Sequence, residues 1–236
     1  MGGETMTRAL HGMLGRPGDW DSLPELELHA VDLFEVDPKP MPEWGKQFSR
    51  IEGNESASRV LLGYSMGGRL ALHALLTDPG RWRSAIIVSA HPGLRHAADR
   101  EIRLRNDQEW ARKVRTQEWE AFLEEWNAQP VFGGADLMGS TAPGATRRER
   151  MALAFERWSL GRQEDLRGQF RRIDFPVLWV TGERDSKFCE LASEAVAGFP
   201  LFRHEVVGNA GHRVPWERPE EFQSIVLAFL RECGIE

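Results

Sequence analysis

Gly63-Tyr64-Ser65-Met66-Gly67-Gly68 decides how this chain is read, because an apolar run, Arg59-Val60-Leu61-Leu62, leads into it and a helical pattern, Arg69 to Leu76, leads out. By itself the G-x-S-x-G pentapeptide is common and says little. Between a strand and a helix it reads as a nucleophile elbow, a tight turn that lifts a serine hydroxyl clear of its own backbone and faces it toward a base. Such a turn crowds the residues on both sides of the serine, and Gly63 and Gly67 relieve that crowding. The helix starting near Met66 aims free amide groups and its positive dipole end at the same spot, where negative charge on an oxygen would develop. The turn points to anionic chemistry at Ser65.

Outward from the elbow, short apolar runs at Thr7 to Leu10, Leu28 to Leu33, Arg59 to Gly63, Ala85 to Ser89, Val177 to Thr181 and Arg203 to Val207 alternate with longer amphipathic stretches. That rhythm predicts an α/β fold, a mostly parallel sheet flanked by helices. Helices are expected over Trp44 to Ile51, Met66 to Leu76, Phe188 to Ala197 and Pro219 to Cys233, the last opening at a proline. Between Pro92 and Phe175 no β-rich run occurs, charge is dense, and Trp110, Trp119, Trp126 and Trp158 recur among helix formers. This predicts a helical cap at 94–171 inserted into a core formed by 1–93 and 172–236. The Gly- and Pro-rich stretch Pro130 to Gly144 should break the cap with a loop.

A chain of 236 residues suits one large α/β domain with an insertion. Its net charge of -6 and lack of any basic run exclude nucleic acid as an expected partner, since neutralising phosphates needs clustered Lys and Arg. The cations are nearly all arginine, with lysine only at Lys39, Lys46, Lys113 and Lys187. Arginine grips carboxylates with a two-pronged fork that lysine lacks, although genome composition accounts for the same bias. Cys189 and Cys233 sit in no CxxC pattern, which suits free thiols in a reducing compartment. No apolar run is long enough to span a bilayer and no charged start precedes an apolar core, so a cytoplasmic protein is expected. The seven histidines form no ligand-spaced cluster, and neither metal nor cofactor is expected. A monomer or small homo-oligomer is expected.

Triad chemistry needs a base within reach of the serine and a carboxylate to orient that base, here in the chain order Ser, acid, His. Val177-Leu178-Trp179-Val180-Thr181-Gly182 reads as a buried strand running into Glu183-Arg184-Asp185, which makes Asp185 the candidate acid and Glu183 its rival. Asp185 also reads as a helix N-cap for the segment near Lys187. Phe202 to Val207 reads as the last strand, and Gly208-Asn209-Ala210-Gly211-His212 follows it, offering His212 as base. The loop His11-Gly12-Met13-Leu14-Gly15 after the first strand is the place for a second oxyanion donor, so the backbone amides of Met13 and Met66 form the candidate pair.

With elbow, acid and histidine in place, the chain resembles an α/β-hydrolase-fold protein over nearly its whole length. Gly63-Tyr64-Ser65-Met66-Gly67-Gly68-Arg69, His91-Pro92-Gly93-Leu94, Gln129-Pro130-Val131-Phe132 and Gly182-Glu183-Arg184-Asp185-Ser186-Lys187-Phe188 are similar to the 2-succinyl-6-hydroxy-2,4-cyclohexadiene-1-carboxylate synthase family of menaquinone biosynthesis. The resemblance implies a lyase that abstracts a ring proton from 2-succinyl-5-enolpyruvyl-6-hydroxy-3-cyclohexene-1-carboxylate and expels pyruvate. It implies Ser65, Asp185 and His212 as the triad, Arg69 and Arg103 as contacts to a polycarboxylate substrate, Tyr64 and Trp126 as pocket residues, and Lys187 near the site. A further arginine is expected late in the cap, at Arg147, Arg148 or Arg150. The chain departs from the family at Met13, where an aromatic residue is usual, at Asn127, and after Asp32, where Pro-Gly-His-Gly is missing. It also opens almost at the oxyanion strand, so the antiparallel strands that usually begin this fold are expected to be missing or displaced.

Two rivals keep the fold and change the chemistry. A carboxylic-ester or thioester hydrolase would use Ser65 as an acyl acceptor. A binding module would keep the pocket without reaction, against which the intact Ser, Asp and His set argues.

Overall fold

The computed structural model describes residues 5–51, 58–133 and 141–235. Six strands, β1 (Thr5–Leu10), β2 (Leu28–Val31), β3 (Ser58–Tyr64), β4 (Ser84–Val88), β5 (Val177–Gly182) and β6 (Phe202–Val207), form one sheet in the order β2-β1-β3-β4-β5-β6. Every strand pairing among the described residues is parallel, and no antiparallel strand extends the sheet there. Parallel neighbours cannot be joined by a hairpin, so the chain must cross back over a face between them. Helices α1 (Met41–Ile51) and α2 (Met66–Thr77) flank β3 in sequence. Between β4 and β5 come α3 (Ala97–Thr116), α4 (Trp119–Asn127) and α5 (Ala145–Arg157). Helix α6 (Ser186–Val196) links β5 to β6, and α7 (Val214–Glu217) and α8 (Pro219–Glu232) follow. No helix of the described residues is long and apolar enough to cross a membrane.

Successive residues of a strand point to opposite faces. Leu61, Ala85, Ile87, Val177 and Trp179 therefore join the core that includes residues of α1, α2 and α6, whereas Val60, Leu62, Ile86, Val88, Leu178 and Val180 join a second core with α8. Strands β4 and β5 are buried along their length, as strands covered on both faces must be. Helix α2 is buried from Met66 to Leu76, with Arg69 and His73 the only ionisable side chains in that run.

Element ends fall within three residues of the sequence expectation, and at β2, α1 and α6 the shift coincides with a local feature. Strand β2 stops at Val31, because the Asp32 carboxylate accepts the Phe34 N–H at 3.0 Å and turns the chain away. Helix α1 starts at Met41, with Pro42 in its first turn. Helix α6 starts at Ser186, directly after Asp185. In the expected loop from Pro130 to Gly144, Pro130–Phe132 forms a short 3-10 turn, while residues 134–140 lie outside the described part.

The chain leaves β1 toward one edge of the sheet and β3 toward the other. Such a switch point opens a crevice at the C-terminal ends of the two strands. Residues 11–15 and Ser65 emerge there. The elbow is packed backbone to backbone: a Cβ on Gly67 would lie 2.3 Å from the Leu10 carbonyl oxygen and 2.5 Å from that of His11, and one on Gly63 would lie 2.6 Å from the Gly67 oxygen. None of these atoms can swing aside as a side chain could. Gly67→Ala is therefore expected to cost about 3 kcal/mol of stability, read as a lowered unfolding midpoint; an unchanged midpoint would contradict this close approach.

Candidate active site

Ser65 sits between β3 and α2 with φ 52 and ψ -110, a backbone conformation that only a turn fixed from both sides maintains in a residue with a side chain. Its N–H donates to the Val88 carbonyl at 2.8 Å, tying the turn to the neighbouring strand. His212 Nε2 lies 3.1 Å from Ser65 Oγ, and His212 Nδ1 lies 2.6 Å from Asp185 Oδ2. Both His212 and Asp185 are buried. With the serine hydroxyl donating to Nε2, the Nδ1–H donates to the carboxylate, so one neutral tautomer satisfies the whole line.

Asp185 occupies the N-cap position of α6, yet its side chain makes no capping hydrogen bond. The carboxylate is turned to His212 instead. Glu183, the rival acid, accepts the Asn209 N–H at 2.9 Å. The histidine loop is held by a residue that the motifs did not single out: Glu217 accepts the N–H groups of Gly211 at 2.8 Å and Arg213 at 3.0 Å, on either side of His212. The Arg184 N–H donates to the Ala210 carbonyl at 2.8 Å, locking acid loop and base loop together.

The Met66 amide is the first of α2, where no preceding turn offers a carbonyl. Across the crevice, the loop bearing Met13 is braced by His11, whose Nδ1–H donates to the Gly12 carbonyl at 2.8 Å while its Nε2 accepts the Leu33 N–H at 3.0 Å. Among the described residues neither the Met13 nor the Met66 amide donates to a backbone carbonyl. Both residues line the cavity that contains Ser65.

That cavity has a volume of about 310 Å³ and is lined by Tyr64, Arg69, Arg103, Trp126 and Lys187 as well as by Ser65 and His212. Met13 and Met66 line it too, whereas Asp185 stands behind the imidazole. The Arg69 guanidinium is buried, donating to Gln163 Oε1 at 3.4 Å and to the Met41 sulfur at 3.7 Å. Burial, and then the charge of Arg103, push its pKa down to about 9, still cationic at neutral pH. Arg103 is aimed by Asp107, whose two oxygens accept its Nε–H at 2.8 and 2.9 Å, and Ser159 Oγ donates to Asp107 at 2.7 Å. Burial pushes the Tyr64 phenol above its ordinary value, so it stays neutral. Trp126 packs against Trp110, Phe132 and Phe155.

None of Arg147, Arg148 and Arg150 is among the lining residues. Arg147 donates to Asp32 Oδ2 at 2.6 Å, Arg148 to backbone carbonyls of Val114 and Gln117, and Arg150 to Asp37 and the chain around Phe34. Arg213, directly after His212, does line the cavity. It is 1 % exposed, its guanidinium lies 4.0 Å from the Phe132 ring centroid, and its Nη2 donates to Asn127 Oδ1 at 2.6 Å. That bond gives the departure at Asn127 a partner. In sequence, Arg213 reads as a solvated loop residue, and only the placement of Phe132 and Asn127 over it reveals otherwise.

Two histidines feel the cations. Burial and then Arg69 hold His73 down at about 4, and burial, Lys187 and Arg69 hold His91 down at about 3. Both lie below the ordinary 6.5, so as pH falls the unfolded chain takes up these protons first. Their contribution to stability is complete above about pH 6.5 and is lost on acidification toward pH 4, by up to about 1.4 kcal/mol per pH unit for each group. His73→Leu should flatten the fall in unfolding midpoint between pH 7 and pH 5; an unchanged slope would contradict this assignment.

The alpha/beta hydrolase family profile matches residues 9–224. A Serratia proteamaculans (strain 568) protein named 2-succinyl-6-hydroxy-2,4-cyclohexadiene-1-carboxylate synthase is 32% identical over 95% of this chain and 92% of its own length. The Escherichia coli O1:K1 / APEC protein of the same name is 35% identical over 72% of this chain and 68% of its own length. Among solved structures, MenH from S. aureus superposes with a TM-score of 0.87 at 22% identity, covering 99% of this chain and 96% of that one. A thermophilic esterase from Thermogutta terrifontis superposes with a TM-score of 0.77 at 20% identity, covering 99% and 92%, and at such identities both likenesses bear on the fold. By profile and by sequence, the chain belongs to the alpha/beta hydrolase family, alongside members named 2-succinyl-6-hydroxy-2,4-cyclohexadiene-1-carboxylate synthase.

Proposed function

We propose that this enzyme is a carbon–oxygen lyase that eliminates pyruvate from 2-succinyl-5-enolpyruvyl-6-hydroxy-3-cyclohexene-1-carboxylate to give 2-succinyl-6-hydroxy-2,4-cyclohexadiene-1-carboxylate. The observation that carries this reading is the charge inside the cavity. Arg69, Arg103 and Lys187 share it with Ser65, and Arg103 is near enough to Arg69 to lower its pKa. Mutually repelling cations in a partly desolvated cavity are best neutralised by anions, and a substrate with three carboxylates supplies them. The names borne by the relatives give the same product.

In this reading His212, oriented by Asp185, accepts the Ser65 proton, and the alkoxide removes the ring proton as a general base. The electron pair shifts through the ring and breaks the carbon–oxygen bond at the other end. The leaving enolate of pyruvate then takes up a proton, for which imidazolium at His212 is the nearest donor. Charge that builds on the carboxylate or dienolate oxygen faces the amides of Met13 and Met66, which need no reorganisation to meet it. Tyr64 and Trp126 wall the ring, and the helices of 94–171 serve as the cap that limits water. The scheme requires neither metal nor cofactor, and no nucleic acid or membrane.

Pyruvate release from this substrate, coupled to lactate dehydrogenase, tests the reading. The wild type should release pyruvate, Ser65→Ala should lower kcat by about 10³-fold or more, and Arg69→Ala should mainly raise KM. Absence of pyruvate release, together with rapid aryl-ester turnover showing a burst, would replace the lyase with an acyl-enzyme hydrolase.

A further inference from the structure

The motif His91-Pro92-Gly93-Leu94 has no part in the scheme above, yet His91 lines the cavity. It follows β4, the strand next to the one that carries Ser65. Its Nδ1 accepts the Gly93 N–H at 3.0 Å, so the proton of the neutral ring sits on Nε2. That Nε2 has no hydrogen-bond partner among the described residues, and it is not sealed off from the cavity. The same wall carries Ser89, whose hydroxyl is buried without a partner. The Gly93 N–H holds the ring at Nδ1, Gln163 Nε2 donates to the His91 carbonyl at 3.1 Å while its Oε1 accepts Arg69, and the Phe188 ring packs edge-on against His91 at 6.3 Å and against His212 at 4.6 Å.

The charged groups that act most strongly on His91 are Lys187, Arg69, Arg167 and Arg103, all cations, although the Asp107 carboxylate lines the same cavity. A neutral N–H donor set among cations, with its acceptor nitrogen already used by Gly93, matches an anionic acceptor and disfavours a cationic or donor-rich ligand. We propose that His91 is a specificity-determining residue, its Nε2–H donating to one carboxylate of the substrate in a subsite shared with Arg69 and Lys187. The inference rests on the polycarboxylate reading of the cavity. The carboxylate could come from the enolpyruvyl arm, the succinyl arm or the ring, and all three present the same chemistry to His91. Because the donor is uncharged, it discriminates by position rather than by attraction at a distance, and its loss weakens one arm alone.

Two substitutions separate the two ends of the imidazole. His91→Asn keeps an acceptor for the Gly93 N–H and removes the donor at the Nε2 position. His91→Gln places an amide N–H close to where Nε2–H was. Binding of pyruvate, succinate and benzoate, standing for the three arms, is measured by calorimetry on the full chain, so that no turnover is needed. His91→Asn should weaken one of the three about tenfold and leave the other two within about twofold, with His91→Gln close to wild type. In turnover, KM should rise in His91→Asn with kcat little changed. Wild-type affinity for all three probes in His91→Asn would overturn the proposal and leave the polycarboxylate reading standing, as would equal weakening in both variants, which would mark a packing role. If the wild type bound none of the three probes, the polycarboxylate reading would fall and this proposal with it.

Discussion

Helix α2 meets the end of β1 with no space for a side chain at Gly67, and the arrangement of the site hangs on that contact. It sets Ser65 at φ 52 and brings the first amide of α2 to the crevice opposite the loop bearing Met13. It also sends Arg69, one turn further on, inward beneath the serine rather than outward to solvent. The sheet supplies the other half. Because β5 and β6 are parallel to β3, their C-terminal ends open on the same side, and Asp185 and His212 arrive there without any further device.

Charge is the second feature of this crevice: Arg69, Arg103 and Lys187 line it together with Ser65. A serine, histidine and aspartate in line serve acyl transfer and proton abstraction equally well. The difference lies in what surrounds them. Arg69 is buried, neighbours a second arginine that Asp107 holds in place, and keeps company with two histidines whose pKa values the cations help to lower. Desolvated cations are costly unless a counter-charge completes them, which is the physical ground for the proposed anionic substrate.

Much of this was legible in the residues. The six strands, the elbow, and the acid and base that follow β5 and β6 all announce themselves through apolar runs ending in short polar loops, because a strand covered on both faces is apolar along its own length. Arginine partners are not local. Arg147 reaches Asp32 across 115 positions, and Arg148 and Arg150 likewise bind loops and helix ends, so none of the three lines the cavity despite lying in the expected segment. Arg213 was passed over for the converse reason, since its burial depends on Asn127 and Phe132 arriving from elsewhere in the chain. Glu217 is equally silent in sequence, because a glutamate in a short helix gives no sign that it will accept the two amides flanking His212. Asp185 shows the two levels combined: its position is that of a helix cap, and the tertiary fold redirects its carboxylate to His212.

Whether Ser65 acts as a base or as an acyl acceptor decides the chemistry proposed for this crevice. Intact-protein mass spectrometry of the enzyme quenched during turnover of the enolpyruvyl substrate addresses it most directly. A base at Ser65 leaves the protein unmodified at every time point while pyruvate accumulates. A substrate-derived mass adduct on the peptide containing Ser65, formed and lost at the rate of turnover, would contradict it.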